Sequence, residues 1–268
     1  MRRSNLRLAG QLLALLMTLF IGTSIAQDAL IAPDPAVTQT IPRGMDHPIG
    51  WEGKLRFHAV SAYGPAALAG AAVGTVLALE SRASLLRFGA KSIMPVAIVF
   101  SIVHEMGPIV TGLVVAGRVG AGIGAELGSM KVTEQIDALE ASAVNPYKLL
   151  VFTRVLACIV ALPLLTLVTD FCGVFAGWIT VALSDPISFN HFLDKGFAGV
   201  KFSDFLAPTF RTCAFGLIIG LVSCFQGMRT RGGTEGVGRS ATSSVVLSSL
   251  FVILADVILV KLILILFP

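Results

Sequence analysis

Residues 116–146, AGRVGAGIGAELGSMKVTEQIDALEASAVNP, decide how the chain is read, because this polar, glycine-rich, charge-bearing stretch stands between two long apolar runs. A membrane protein places such a segment on the water side, where it meets a soluble partner. The composition supports the membrane half of that statement: 55% of the 268 residues are hydrophobic and only 13% charged, with a mean hydropathy of +0.84, against about 25% charged in soluble domains. About 20 apolar residues cross the roughly 30 Å of hydrocarbon in a bilayer. Outward from the quoted stretch, five such runs appear, at about 59–79, 92–116, 148–183, 205–226 and 243–267. The third is too long for one straight span and contains Pro163, which predicts a kink or a tilted helix with an extended end. The expected fold is an all-α polytopic membrane protein with five core transmembrane helices. The chain divides into an N-terminal apolar segment and connector at 1–58 and a membrane domain at 59–268.

Loop charges set an orientation. Arg229, Arg231 and Arg239 lie in 227–240; Arg118 and Lys131 lie in 117–147, with Lys148 and Arg154 opening the next run. The excess of Lys and Arg on cytoplasmic loops places both segments inside, and 184–204, with Asp185, Asp194 and Asp204 against Lys195 and Lys201, outside. Arg82, Arg87 and Lys91 conflict with this, since 80–91 then falls outside. The net charge of +4 comes with no basic run interleaved with aromatics, so nucleic acid is not an expected partner; it fits a face near anionic headgroups. Residues 1–26 have a basic start, an apolar stretch at 6–25 and a small-residue ending, Ser24-Ile25-Ala26. That describes a signal-like segment, an additional span, or a retained helix lying in the membrane interface. Residues 27–58, with Pro33, Pro35, Pro42 and Pro48, read as an irregular connector.

Small residues recur every fourth position in three runs: Ala66, Gly70, Gly74 and Ala78; Gly173 and Gly177; Thr212, Gly216, Gly220 and Cys224. Such stripes let helices approach closely in lipid, either within one chain or between two copies. Gly120, Gly124 and Gly128 carry the spacing into the polar segment, where each glycine costs a helix roughly 1 kcal/mol relative to alanine. That cost implies close contact with another helix or a required bend. A better helix follows, with Thr133 as its N-cap, Glu134 and Asp137 near its positive end, and Asn145-Pro146 as its stop. Val132, Ile136 and Leu139 form a short apolar stripe that should dock into a groove.

Ionisable residues inside apolar runs usually face a cavity or a partner, because each costs roughly 2.5 kcal/mol or more in the bilayer centre. His104 and Glu105 are the foremost such pair. They either line or brace a substrate path, or Glu105 satisfies a helix end or Arg118. Asp170 and Asp256 are similarly placed, whereas Lys261, near the end of the last run, reads as snorkelling. The four cysteines, Cys158, Cys172, Cys213 and Cys224, lie in apolar runs without CxxC spacing and read as packing residues. Catalytic and metal sites are not expected. HExxH would need histidine where Pro108 stands, and neither GxSxG nor the phosphate cradle GxxxxGK[ST] occurs.

One block of residues carries a family resemblance: Glu105-Met106-Gly107-Pro108, Ala116-Gly117-Arg118, Ala125-Glu126-Leu127-Gly128, Thr133-Glu134-Gln135-Ile136-Asp137-Ala138-Leu139, Asn145-Pro146 and Leu162-Pro163-Leu164-Leu165. It resembles the MlaE/YrbE permeases, the membrane subunits of MCE-associated ABC transporters that move phospholipids or related lipids across cell envelopes. The resemblance covers roughly 60–268 and is densest over 104–165; Ser240-Ala241-Thr242 is similar as well. It implies a multi-pass protein of the bacterial inner membrane, a homodimer with an interfacial helix before the first span. The implied partners are a separate ABC ATPase using ATP and Mg, an MCE-domain periplasmic protein and, in some systems, a STAS-domain protein. No cofactor is implied for this chain itself. Glu134, Gln135, Asp137 and Leu139 match the family's coupling helix, the contact with the ATPase. The family commonly carries Arg before the glutamate, and His104 departs from that pattern. The implied mechanism is an apolar cavity bounded chiefly by the first and last core spans, narrowed when ATP-driven closure presses on the coupling helix. Two alternatives come from other classes. A secondary transporter would need inverted repeats, and an intramembrane lipid-modifying enzyme would need more than His104 and Glu105.

Overall fold

Four of the five apolar runs become helices longer than the runs themselves. The computed structural model describes residues 51–143, 145–185, 187–198 and 202–266; the signal-like stretch and most of the connector lie outside them. Among the described residues every regular element is helical. Five helices are long and apolar enough to cross a membrane, as the hydropathy predicts.

Helix α1 (Trp51–Arg87) begins inside the expected connector, so residues 51–58 are helical rather than irregular. It closes in a Schellman motif. Gly89 stands at φ +66°, with its N–H 3.3 Å from the Leu86 carbonyl and the Ala90 N–H 2.9 Å from that of Leu85; glycine takes this left-handed position without a Cβ penalty. Helix α2 (Lys91–Val132) follows after one tight turn and, at 42 residues, rises about 63 Å. It therefore continues well beyond the expected span, and the glycine-rich half of the quoted stretch is helix rather than loop. Two wide π-turns interrupt it, at Ile102–Met106 and Ala116–Gly120.

At Thr133 the chain turns a corner. Thr133 closes α2, its hydroxyl donating to the Ser129 carbonyl at 2.9 Å, and Glu134 adopts φ +59° before α3 (Gln135–Ala141). Thr133 is thus a C-cap and not the expected N-cap. Asn145 and Pro146 also have a different role: the Asn145 Oδ1 accepts the N–H groups of Tyr147 at 3.0 Å and Lys148 at 3.3 Å. They start α4 (Tyr147–Ala182), as asparagine and proline do at a helix N-terminus. Helix α4 runs unbroken through Pro163.

Residues 184–204, expected as a loop, contain α5 (Phe189–Phe197), which lays fully buried Phe192 on α2 and brings Gly196 against Val99. The Trp178 indole anchors its approach by donating to the Ile187 carbonyl at 3.1 Å. Helices α6 (Phe202–Met228) and α7 (Gly233–Leu266) complete the bundle.

The small-residue stripes are consumed within the chain. A Cβ at Gly74 would overlap the Gly173 backbone, one at Gly70 the Thr169 carbonyl, and one at Gly220 would lie 2.9 Å from the Val155 Cα. A Cβ at Gly120 would lie 3.0 Å from the Ser223 hydroxyl, one at Gly128 2.8 Å from those of Ser240 and Thr230, and one at Gly124 would overlap that of Ser244. Close contact, rather than a bend, is what these glycines allow.

Gly128 therefore puts the α3 end of the bundle beside the α6–α7 turn. At the opposite end Asp185 meets Lys91 at 2.6 Å and Arg82 at 3.6 Å. Segments 117–147 and 227–240 thus share one end of the bundle, and 80–91 and 184–204 share the other. Two of the three basic residues that conflicted with the charge rule are matched there by a carboxylate.

Among the described residues two apolar clusters form the core. The larger, nearer α3, joins Ala62, Ala66, Val115, Leu127, Ile136, Leu165, Phe215 and Val252. The smaller, nearer Asp185, joins Ala78, Met94, Ile98, Val103, Val174 and Phe192.

Candidate functional site

Between those clusters α2 and α4 change character. On α2 the clusters' residues end at Val103 and resume at Val115, with only Gly107, Pro108, Thr111 and Gly112 buried between them; on α4 they end at Leu165 and resume at Val174. The gap holds a polar layer: Glu105 and Thr111 from α2, Thr166, Thr169 and Asp170 from α4, Arg211 and Thr212 from α6, and Asp256 from α7. All of these but Glu105 are buried.

Arg211 organises the layer. Its side chain is 2% exposed and its guanidinium lies 3.2 Å from Asp256 Oδ1 and 3.6 Å from Glu105 Oε2. Its third contact, an Nη2–H donated to the His104 carbonyl at 2.9 Å, follows from the sequence of α2. Pro108 has no N–H to offer the carbonyl four residues before it, and its ring crowds that carbonyl. The π-turn at Ile102–Met106 widens the helix there, and Arg211 supplies the missing donor. Buried carbonyls require such a partner.

Glu105 is the outlet of this cluster. Its side chain is 36% exposed, beside the exposed apolar side chains of Phe100 and Met106 on α2. Its partner is Arg211, while Arg118 is exposed a turn and more beyond the layer. The His104 ring stacks on Phe100 with centroids 4.8 Å apart, and its Nδ1 is buried without a hydrogen bond. On the other flank of the π-turn, Asp170 fills the space a Cβ on Gly107 would need, and neither of its oxygens has a hydrogen-bond partner. The Thr111 hydroxyl donates to the Thr169 hydroxyl at 2.8 Å, and Thr169 donates on to the Leu165 carbonyl at 3.0 Å. One arginine thus faces two carboxylates across three helices.

The second candidate surface is the elbow at the other end. Glu134, Gln135 and Asp137 are exposed, and Asp137 pairs with Lys131 at 2.7 Å. Ile136 is 1% exposed and belongs to the main core, and Leu139 packs partly buried against it. The apolar stripe of α3 therefore docks on its own chain and presents its acidic side outward.

A second ion pair holds the elbow's neck: Arg154 binds both oxygens of Glu126, at 2.7 and 3.3 Å. Neither Arg211 nor the Glu126–Arg154 pair stood out in the sequence. The signal for Arg211 is an arginine inside an apolar run, while Arg154, at the start of its run, reads as a loop charge. Among the described residues no three His, Cys, Asp or Glu side chains gather as a metal site, and the four cysteines are free.

Comparison with known proteins settles the family. The family model described as Permease MlaE matches residues 53–262. The chain belongs to the MlaE permease family. Its relatives include a probable ABC transporter permease protein of Rickettsia felis (strain ATCC VR-1525 / URRWXCal2), 39% identical over 189 residues, covering 70% of this chain and 73% of the relative. A probable ABC transporter permease protein of Synechocystis sp. is 35% identical over 184 residues, 69% of this chain and 70% of that one. One of Pyropia yezoensis is 33% identical over 187 residues, with 70% and 71% covered. As an MlaE permease the chain is a multi-pass membrane protein.

Proposed function

We propose that this MlaE-family chain is the membrane subunit of an ABC transporter that moves phospholipid or a related lipid between membranes of the bacterial cell envelope. It would act from the inner membrane as a homodimer, with ATP and Mg used by a separate ATPase. An MCE-domain protein would receive or deliver lipid on the outer side, with a STAS-domain protein as a further partner of the motor. The observation that carries the lipid reading is the polar layer set between two apolar clusters and opening through half-exposed Glu105 beside Phe100 and Met106. An amphiphile matches that pattern. Its acyl chains lie along apolar helix faces and its headgroup meets the His104, Glu105, Arg211 and Asp256 cluster, where ion pairing is strengthened by exclusion of water.

The motor reading rests on α3. Ile136 and Leu139 fix its apolar side to the bundle, so Glu134, Gln135 and Asp137 remain for a soluble partner, and a push on α3 reaches the core directly. The test is purification of the complex with its ATPase, mass spectrometry of copurified lipid, and ATP-dependent lipid movement between vesicles. Copurified phospholipid and ATP-dependent transfer are expected. A complex that carries no lipid and transfers none with ATP overturns the reading.

A further inference from the structure

The cytoplasm-directed excursion formed by the end of α2, all of α3 and the start of α4 is closed at its neck by one side-chain pair. Glu126 and Arg154 stand 28 residues apart in sequence, and everything between them is the elbow. Arg154 is 1% exposed. Two of its nitrogens reach the two Glu126 oxygens, and Nη1–H is donated to the Leu150 carbonyl at 2.9 Å, in the π-turn that opens α4. A two-pronged arginine–carboxylate bond fixes both distance and orientation, unlike a single point charge. The Glu126 side chain is 22% exposed, and ion pairs, exposed or buried, contribute little net stability relative to apolar residues of the same size, so stability alone gives no reason for this one in a hydrophobic bundle. A second tie, from the Ser240 hydroxyl to the Gly124 carbonyl at 3.0 Å, holds the same end of α2 to α7. It is one neutral bond and fixes no orientation.

We propose that Glu126 and Arg154 are a positioning pair that makes α2 and α4 move as one body when α3 is displaced, so that a push on the elbow reaches the polar layer instead of bending the neck. This rests on α3 being the seat of the ATPase. Without the pair, α3 would swing on the left-handed corner at Glu134 and the start of α4, and the motor's stroke would be absorbed there.

The test uses the full complex, with the four native cysteines replaced by alanine and Met106→Cys as a reporter at the far end of the path. The maleimide labelling rate of that cysteine is compared before and after trapping with ATP and vanadate. E126Q/R154M removes both charges, so it keeps the fold and ATPase retention; it is expected to lower the nucleotide-driven change in labelling roughly threefold to tenfold. R154K, which keeps the charge and loses the two-pronged geometry, is expected to fall in the same direction. Unchanged nucleotide response in both variants overturns the inference, as does an absent response in the complex that retains Glu126 and Arg154. Failure of that complex to retain an ATPase at all would instead overturn the functional reading beneath it.

Discussion

Arg211→Met removes the hub of the polar layer, and the structure sets the cost. The Arg211–Asp256 pair is buried on both sides, with side chains 2% and 6% exposed, and removing one partner of such a pair costs about 3–5 kcal/mol. The His104 carbonyl loses the donor that Pro108 cannot replace, a further ~1–3 kcal/mol for an orphaned buried acceptor. The Glu105 arm is more than one third exposed, so solvent screening leaves it ~0–1 kcal/mol. These terms are not additive, and hydrogen bonds inside membrane bundles return less than in water-soluble proteins, so we expect a net loss on the order of 4 kcal/mol. In detergent, thermal unfolding should shift down by about 8–16 °C. R211M/D256N removes both buried charges and should recover at least half of that shift, since the remaining Glu105 reaches solvent. If R211M melts within about 2 °C of the parent, or the double variant is no better than the single, the polar layer is not held as described.

Other outcomes follow from the packing and charges of the same bundle. Gly74→Ala forces a methyl group into the Gly173 backbone and should cost about 2 kcal/mol or more. Gly117→Ala meets nothing within 4 Å and should stabilise its helix by up to ~1 kcal/mol; chemical denaturation in detergent compares the two, and equal effects would contradict the packing. Reversal of both exposed elbow acids, Glu134→Arg with Asp137→Arg, should lower ATPase retention in a pull-down at least about tenfold while membrane insertion is unchanged; full retention would remove α3 from the contact. At the opposite end, the hydrogen bond from Lys91, followed by the charges of Lys91 and Arg82, holds the Asp185 carboxyl below its usual range. A lowered carboxylate pKa stabilises the folded state above the ordinary value of about 3.9 and is lost as pH falls through the lowered one. Amide exchange at 85–91, corrected for intrinsic rate, should therefore stay flat at neutral pH and rise only below about pH 4, with Asp185→Asn fast throughout; a rise centred near neutrality would assign the tie to other groups.

The five spans were legible because hydropathy reports burial in lipid directly, and α3 was legible from its apolar stripe and acidic start. What hydropathy does not report is where a helix ends. Polar α2 residues after Ala116 remain helical because Gly120, Gly124 and Gly128 let the helix press against α6 and α7, a contact invisible until those helices are placed. Thr133 and Asn145 are both good capping residues, and sequence does not tell which helix each will serve. The left-handed Glu134 moved the first to the end of α2, and two backbone N–H groups drew the second to the start of α4. His104 and Glu105 were visible as ionisable residues in a span. Their partner Arg211 lies about a hundred residues away, and such pairing needs the bundle's topology.

The proline of the Glu105–Pro108 block makes one helix unfinished on its own. When α2 enters the bilayer during synthesis, the oxygen of His104 has lost its intrahelical donor, and the guanidinium that completes it is 107 residues downstream. At a ribosomal pace of about 5–20 residues per second the wait is roughly 5 to 20 s. The second span therefore inserts as a provisional structure and is finished only when the fourth arrives, which ties the last stage of assembly to the same few atoms that organise the mature charge cluster.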